Sequence, residues 1–158
     1  VNQAANPALP LDPPSAGRLR LDAAALNAFM ARAFPLAEPG SRGQVKAVSP
    51  GRLVAVLDGG ERGLRPGGVI SGPTMMGLAD MAVYALVLAH IGEVPMAVTT
   101  SLNIHFLRPA KAGALTAEAR LLRLGRRIAT ADVALWTEGP ERVAAHAVVA
   151  YAIPEGVQ

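Results

Sequence analysis

Pro73 to Gly92, PTMMGLADMAVYALVLAHIG, is a twenty-residue apolar run with a single carboxylate, Asp80. Taking an unpaired carboxylate out of water is expensive, so Asp80 needs a partner or a task. It is either tied to a strand residue by structural hydrogen bonds or a base beside an apolar, ligand-sized space; the second is the stronger reading. Gly72, just before this run, is the other singular position. At a helix start its N–H can face an oxygen that becomes negative during acyl transfer, with the helix dipole adding to the effect. Equally, Gly72 can simply permit a tight turn before Pro73. The two residues are eight positions apart, about 12 Å along one helix, so one carbonyl cannot reach both. If both act on one carbonyl, they come from two subunits whose helices run antiparallel across a two-fold axis.

Strict alternation over Ala97 to Leu107 predicts Thr99, Ser101, Asn103 and His105 on one strand face and Val98, Leu102, Ile104 and Phe106 on the other. Such a polar row could hold a water for Asp80, or be the wetter side of a sheet or a second subunit interface. Other chemistries find less support. His90, His105 and His146 lack metal-site spacing, and Ser101 with His105 lacks a Gly-x-Ser-x-Gly elbow. No phosphate-binding Gly-x-x-x-x-Gly-Lys or Gly-x-Gly-x-x-Gly run occurs. Arg65, Arg108, Lys111, Arg123, Arg126 and Arg127 fall in or beside loops, as phosphate donors or as ordinary surface cations.

The chain has 158 residues, 51% hydrophobic and 17% charged, enough apolar matter for one packed domain and too little for two large ones. Its net charge of +3 comes from 13 Arg and 2 Lys against 12 acids. With six aromatic residues and no basic run longer than Arg126-Arg127, the stacking platforms of a nucleic-acid binder are missing. Cysteine is absent, which removes thiol chemistry and disulfides and suits a reducing, cytoplasmic setting. No secretory h-region appears near the start, and Asp80 argues against a membrane span.

Residues 1–17 read as a flexible arm and 18–158 as one domain. Asp22 is expected to cap a short amphipathic helix that Pro35 stops; Gln44 to Val48 and Arg52 to Leu57 read as strands joined by Ser49-Pro50-Gly51. Asp58 to Gly68, with five glycines, is expected to be a loop, and Ser71-Gly72-Pro73 starts a helix that runs to Ile91. The period then switches to two for Ala97 to Leu107, Ala114 to Leu124, Ile128 to Thr137 and Val143 to Ile153. The expected architecture is α+β, a curved antiparallel sheet around a long apolar helix.

The segments GGVISGPTMMGLADMA, TTSLNIHFLRPAKAG and LLRLGRRIATADVALW together resemble hot-dog fold acyl-CoA thioesterases of the phenylacetate-pathway type, over about Gln44 to Ile153. The most specific match is Ser71-Gly72-Pro73 followed by Leu78-Ala79-Asp80-Met81-Ala82, at the spacing of the family's H-G-G and L-A-D-x-A. By that resemblance Asp80 is the general base or nucleophile, Gly72 the oxyanion donor, and Thr99 the residue that orients the attacking water. Gly68, Ser71, Pro73, Thr100, Arg126 and Arg127 are the implied substrate contacts. Ser71 stands where the family usually has His and Pro73 where it has a second Gly. Arg65 replaces an upstream Asn and is a candidate to contact phosphate or pair with Asp80. The implied function is hydrolysis of a small or medium acyl-CoA, aromatic acyl groups included, by a homodimer or a dimer of dimers. No metal or added cofactor is implied, CoA being part of the substrate. The alternatives are an acyl-CoA-binding protein without chemistry and an enoyl thioester hydratase or dehydratase, for which His105 is the nearest histidine.

Overall fold

A computed structural model of the protein describes residues 17–37, 41–59 and 63–156. The arm expected over 1–17 falls, except for Gly17, outside the described residues. Helix α1, Ala23–Ala33, starts where Asp22 accepts the Ala25 N–H at 2.8 Å. The hairpin of β1, Gln44–Ser49, and β2, Arg52–Leu57, turns at Gly51 with a φ of 75°. Two short strands follow, β3, Leu64–Arg65, and β4, Val69–Ile70, then α2, Gly72–Ile91. The long strands are β5, Val98–Phe106; β6, Leu115–Leu124; β7, Ile128–Trp136; and β8, Ala145–Ala152, within two residues of the periodicity-based bounds.

Six strands form one antiparallel sheet in the order β1-β2-β6-β7-β8-β5. Alternating Ala, Val and Leu of β6, β7 and β8 face inward onto α2, whose segment from Ala82 to His90 is buried throughout. That burial explains why α2 is long and apolar enough to cross a membrane: its apolar faces are the domain's core. The hot-dog arrangement expected from the sequence is therefore the observed one. The glycine-rich stretch is not wholly loop, however. Arg65-Pro66-Gly67-Gly68 closes a tight turn, with the Gly68 N–H on the Arg65 carbonyl and Gly67 at a φ of 99°, and pairs β3 with β4. Proline followed by glycine at the centre is the residue order such a turn favours.

Two side chains tie the periphery to this core. The Asn27 amide bonds both the N–H and the C=O of Val45, each at 2.9 Å, fixing α1 against β1 as an added strand would. At the far end of α2, His90 is buried and its Nε2 accepts the Gly51 N–H at 3.1 Å. Its Nδ1 must then carry the proton and donate to the Leu86 carbonyl at 2.8 Å. Protonating Nε2 would face two N–H groups at each other, and burial already pushes this imidazole below its usual range. The folded chain thus binds this proton less readily than the unfolded one. The corresponding stability is complete above about pH 6.5, the unfolded value, and declines as the pH falls below it. Denaturant midpoints measured between pH 7.5 and 5 are expected to fall on acidification, and the slope over that window is expected to flatten in His90→Gln.

Candidate active site

Asp80 lies on the stripe of α2 that is left uncovered by the sheet. Pro73, Gly77, Asp80, Met81 and Tyr84 recur at helical spacing and together form one wall of a cleft of about 1340 Å³. The opposite walls come from Met30 of α1 and Phe34 just past its end, from Leu57 at the end of β2 with Asp58 and Gly59 beyond it, and from Ala97 to Thr99 entering β5. Four of the six aromatic rings gather around it or behind it. Tyr84 stacks on Tyr151 with centroids 5.7 Å apart and meets Phe34 edge-on at 6.1 Å and Phe29 at 6.5 Å. Tyr84 is anchored by its own hydroxyl, which donates to the Pro95 carbonyl at 3.2 Å.

Two hydroxyls converge on one oxygen of Asp80. Thr99 Oγ1 donates to Oδ1 at 2.6 Å and the Tyr151 phenol donates to the same Oδ1 at 2.7 Å, while that phenol also lies 3.1 Å from the Asp80 carbonyl. No described residue bonds Oδ2, and no unpartnered side-chain oxygen is buried, so Oδ2 is open to the cleft. Tyr151 is itself buried; burial first, and then the neighbouring Asp80 carboxylate, pushes its phenol far above the usual range. It therefore stays protonated, and a donor, through the neutral pH range. Removing either hydroxyl should loosen the carboxylate. We expect Tyr151→Phe to lower kcat about 10- to 100-fold with KM little changed, measured by steady-state thiol release.

Thr99 reaches Asp80 by a departure from the alternation expected of β5. Thr99 pairs with Tyr151 and Ser101 with Ala150, leaving Thr100 as the extra residue of a β-bulge. The bulge turns Thr99 to the inner side with Leu102, Ile104 and Phe106, opposite inward-facing Tyr151, Val149, Ala147 and Ala145. Ser101, Asn103 and His105 face outward, His105 opposite His146. The expected row of four polar residues is thus split, and only Thr99 serves the cleft. His146 pairs with Asp132 at 3.3 Å on that outer face, so neither it nor His105 lines the cleft beside Asp80.

The remaining candidates distribute as follows. Ser71 caps α2: its Oγ accepts the Thr74 N–H at 3.3 Å and lies 2.8 Å from Thr74 Oγ1, which in turn donates to the Gly63 carbonyl. Its hydroxyl is thereby committed to the helix start and not to a carbonyl in the cleft. Pro73 lines the cleft. Arg65 and Gly68 sit on the exposed turn between β3 and β4, and Asp80 pairs with Thr99 and Tyr151, so the expected alternative of an Arg65–Asp80 pair is not formed. Thr100 spends its hydroxyl on the Ala150 carbonyl at 3.2 Å. Arg126 and Arg127 are exposed on the β6–β7 turn, Arg127 paired with Glu155 at 2.5 Å. Tyr151 is the residue that sequence reasoning missed. A lone tyrosine at an inward position of the Ala/Val alternation in β8 was the available signal, because a buried phenol needs an acceptor.

Gly72 occupies the first position of α2, where its N–H has no intrahelical acceptor and bonds no described residue. It does not line the cleft of its own chain, and a Cβ there would lie 3.2 Å from Phe106 Cζ.

Comparison with known proteins bears on this geometry. Residues 67–144 match the thioesterase superfamily model. A candidate esterase of Thermoplasma acidophilum is 30% identical over 91 residues, 58% of this chain and 68% of the relative. The structure of a candidate thioesterase from Silicibacter sp. TM1040 superposes with a TM-score of 0.79 at 40% identity, covering 89% of this chain and 96% of that one. A phenylacetic acid degradation-related candidate thioesterase of Ralstonia eutropha JMP134 gives 0.67 at 28% identity, covering 79% and 98%. The matched region contains α2 with Asp80 and the strand that carries Thr99. The chain belongs to the thioesterase superfamily, as a hot-dog fold thioester hydrolase.

Proposed function

We propose that the protein hydrolyses small or medium acyl-CoA thioesters at a site that two copies of the chain build together. The observation that carries this reading is the Asp80 carboxylate with Oδ1 held by two hydroxyl donors and Oδ2 left open in a mainly apolar cleft. A carboxylate so fixed has one oxygen aimed and one oxygen tethered, which is what a general base or nucleophile at a carbonyl needs. Oδ2 takes a proton from a water as the water oxygen bonds the thioester carbon. The carbonyl electrons move onto oxygen, and the Gly72 N–H of the other subunit donates a hydrogen bond to the resulting oxyanion. The tetrahedral centre then collapses, the C–S bond breaks, and the CoA thiolate leaves with the proton held by Asp80. Direct attack by Oδ2, giving an acyl anhydride that water opens, uses the same atoms. Thr99 is on this account a positioning residue for the carboxylate, with its oxygen lone pairs still able to accept from the attacking water.

The exposed edge of the sheet supports a second copy, as does the separation of about 12 Å between Gly72 and Asp80 along one helix. Strand β5 is an edge nine residues long, its outer hydrogen-bonding groups unpaired by any strand among the described residues. Val98 and Phe106 are each 50% exposed and Leu107 56%, an apolar border suited to a second β5 laid antiparallel across a two-fold axis. Light scattering is expected to give a mass of two or four chains. Free-thiol detection over a panel of acyl-CoA substrates tests the activity directly. Thiol release from at least one of them supports the reading, and tight acyl-CoA binding without release at any chain length overturns it in favour of a binding protein.

A further inference from the structure

Gly77 is the one glycine of α2 beyond its first residue, and nothing among the described residues asks for it. Its φ is not positive, and a Cβ built on it would meet no atom within 4 Å. Alanine would favour the helix, since glycine loses more backbone freedom on folding. Gly77 is exposed and lines the cleft three residues before Asp80, about 4.5 Å along the helix axis. Leu57, Ile70, Leu78, Met81 and Leu115 give the cleft much of its apolar lining, and Thr74, one turn before Gly77, is the polar neighbour on the same helix.

We infer that Gly77 is a specificity-determining residue, its missing side chain leaving width for the acyl group of the substrate to lie against α2 beside the thioester. This rests on the thioesterase reading of the same cleft. The group it admits is broad close to the carbonyl, a ring or a branched carbon, because the open width lies within one helical turn of Asp80. The apolar walls suit the acyl portion better than the amide-rich pantetheine arm.

The test compares wild type, Gly77→Ala and Gly77→Val on acetyl-CoA, isovaleryl-CoA and benzoyl-CoA, with native mass and Tm measured alongside. The ratio of kcat/KM for benzoyl-CoA to that for acetyl-CoA is expected to fall about 10-fold or more in Gly77→Val, with isovaleryl-CoA between. Gly77→Ala is expected to raise Tm by about 2–4 °C, as removal of an unneeded helix glycine should. A uniform change across the three substrates, the pattern expected if pantetheine crosses Gly77, overturns the inference. So does an unchanged ratio, a lowered Tm in Gly77→Ala, or dissociation of the assembly in Gly77→Val. Wild type that releases no thiol from any substrate sinks the thioesterase reading together with this inference, whereas an unchanged ratio in an active enzyme sinks this inference alone.

Discussion

Asp80→Asn is expected to lower kcat about 10³-fold while acyl-CoA affinity and Tm stay close to wild type. The amide is isosteric, and its carbonyl oxygen can still accept from Thr99 and Tyr151 as Oδ1 does. What it lacks is a basic or nucleophilic atom at the position of Oδ2. The substitution therefore removes the chemistry and keeps the scaffold, which an alanine would not, since alanine leaves the buried Tyr151 phenol without its carboxylate acceptor. Single-turnover thiol release and equilibrium binding of a non-hydrolysable acyl-CoA thioether separate the two effects. Retained binding with lost turnover is the expected pattern; near wild-type turnover would remove Asp80 from the mechanism.

Gly72→Pro carries the second large effect, a loss of about 10²–10³-fold in kcat. Among standard substitutions only proline deletes a backbone N–H, and here it does so at a first helical position, where that N–H bonds no described residue of its own chain and where proline is tolerated. The added ring atoms press on Phe106, so Gly72→Ala is the matched control: it adds the same Cβ, 3.2 Å from Phe106 Cζ, and keeps the donor. A deep loss in the proline variant with a shallow one in the alanine variant assigns the effect to the N–H. Equal losses would assign it to crowding at Phe106 and leave the oxyanion without this donor.

Much of this arrangement is legible in the chain's text because single residues break strong patterns. Asp80 stands out against an apolar helix that the core requires to be apolar, and Ser71-Gly72-Pro73 marks where that helix begins. The hidden parts are those that depend on register. Period-two reading placed Thr99 with Ser101, Asn103 and His105, and one extra residue at Thr100 reversed the outcome for Thr99. A bulge has no sequence signature when its residues are Thr-Thr-Ser, so the pairing of Thr99 with Asp80 could be supported by resemblance but not by alternation. Tyr151 was missed for a related reason. It belongs to β8, seventy-one residues beyond Asp80, and only the sheet order that sets β8 beside β5 brings its phenol to the carboxylate. The β3–β4 turn was readable in principle from Pro66-Gly67, but strands of two residues give no periodicity to detect.

The central claim is that one reaction centre takes its carboxylate from one chain and its N–H from another. Mixing inactive Asp80→Asn and inactive Gly72→Pro, unfolding them together and refolding them tests that most directly. Random pairing makes half the dimers mixed, and each mixed dimer regains one intact site of two, so about a quarter of wild-type turnover is predicted to return. If the carboxylate and the N–H instead served the same centre within one chain, every site in the mixture would stay defective. Turnover would then remain at the level of the separate variants, contradicting the account.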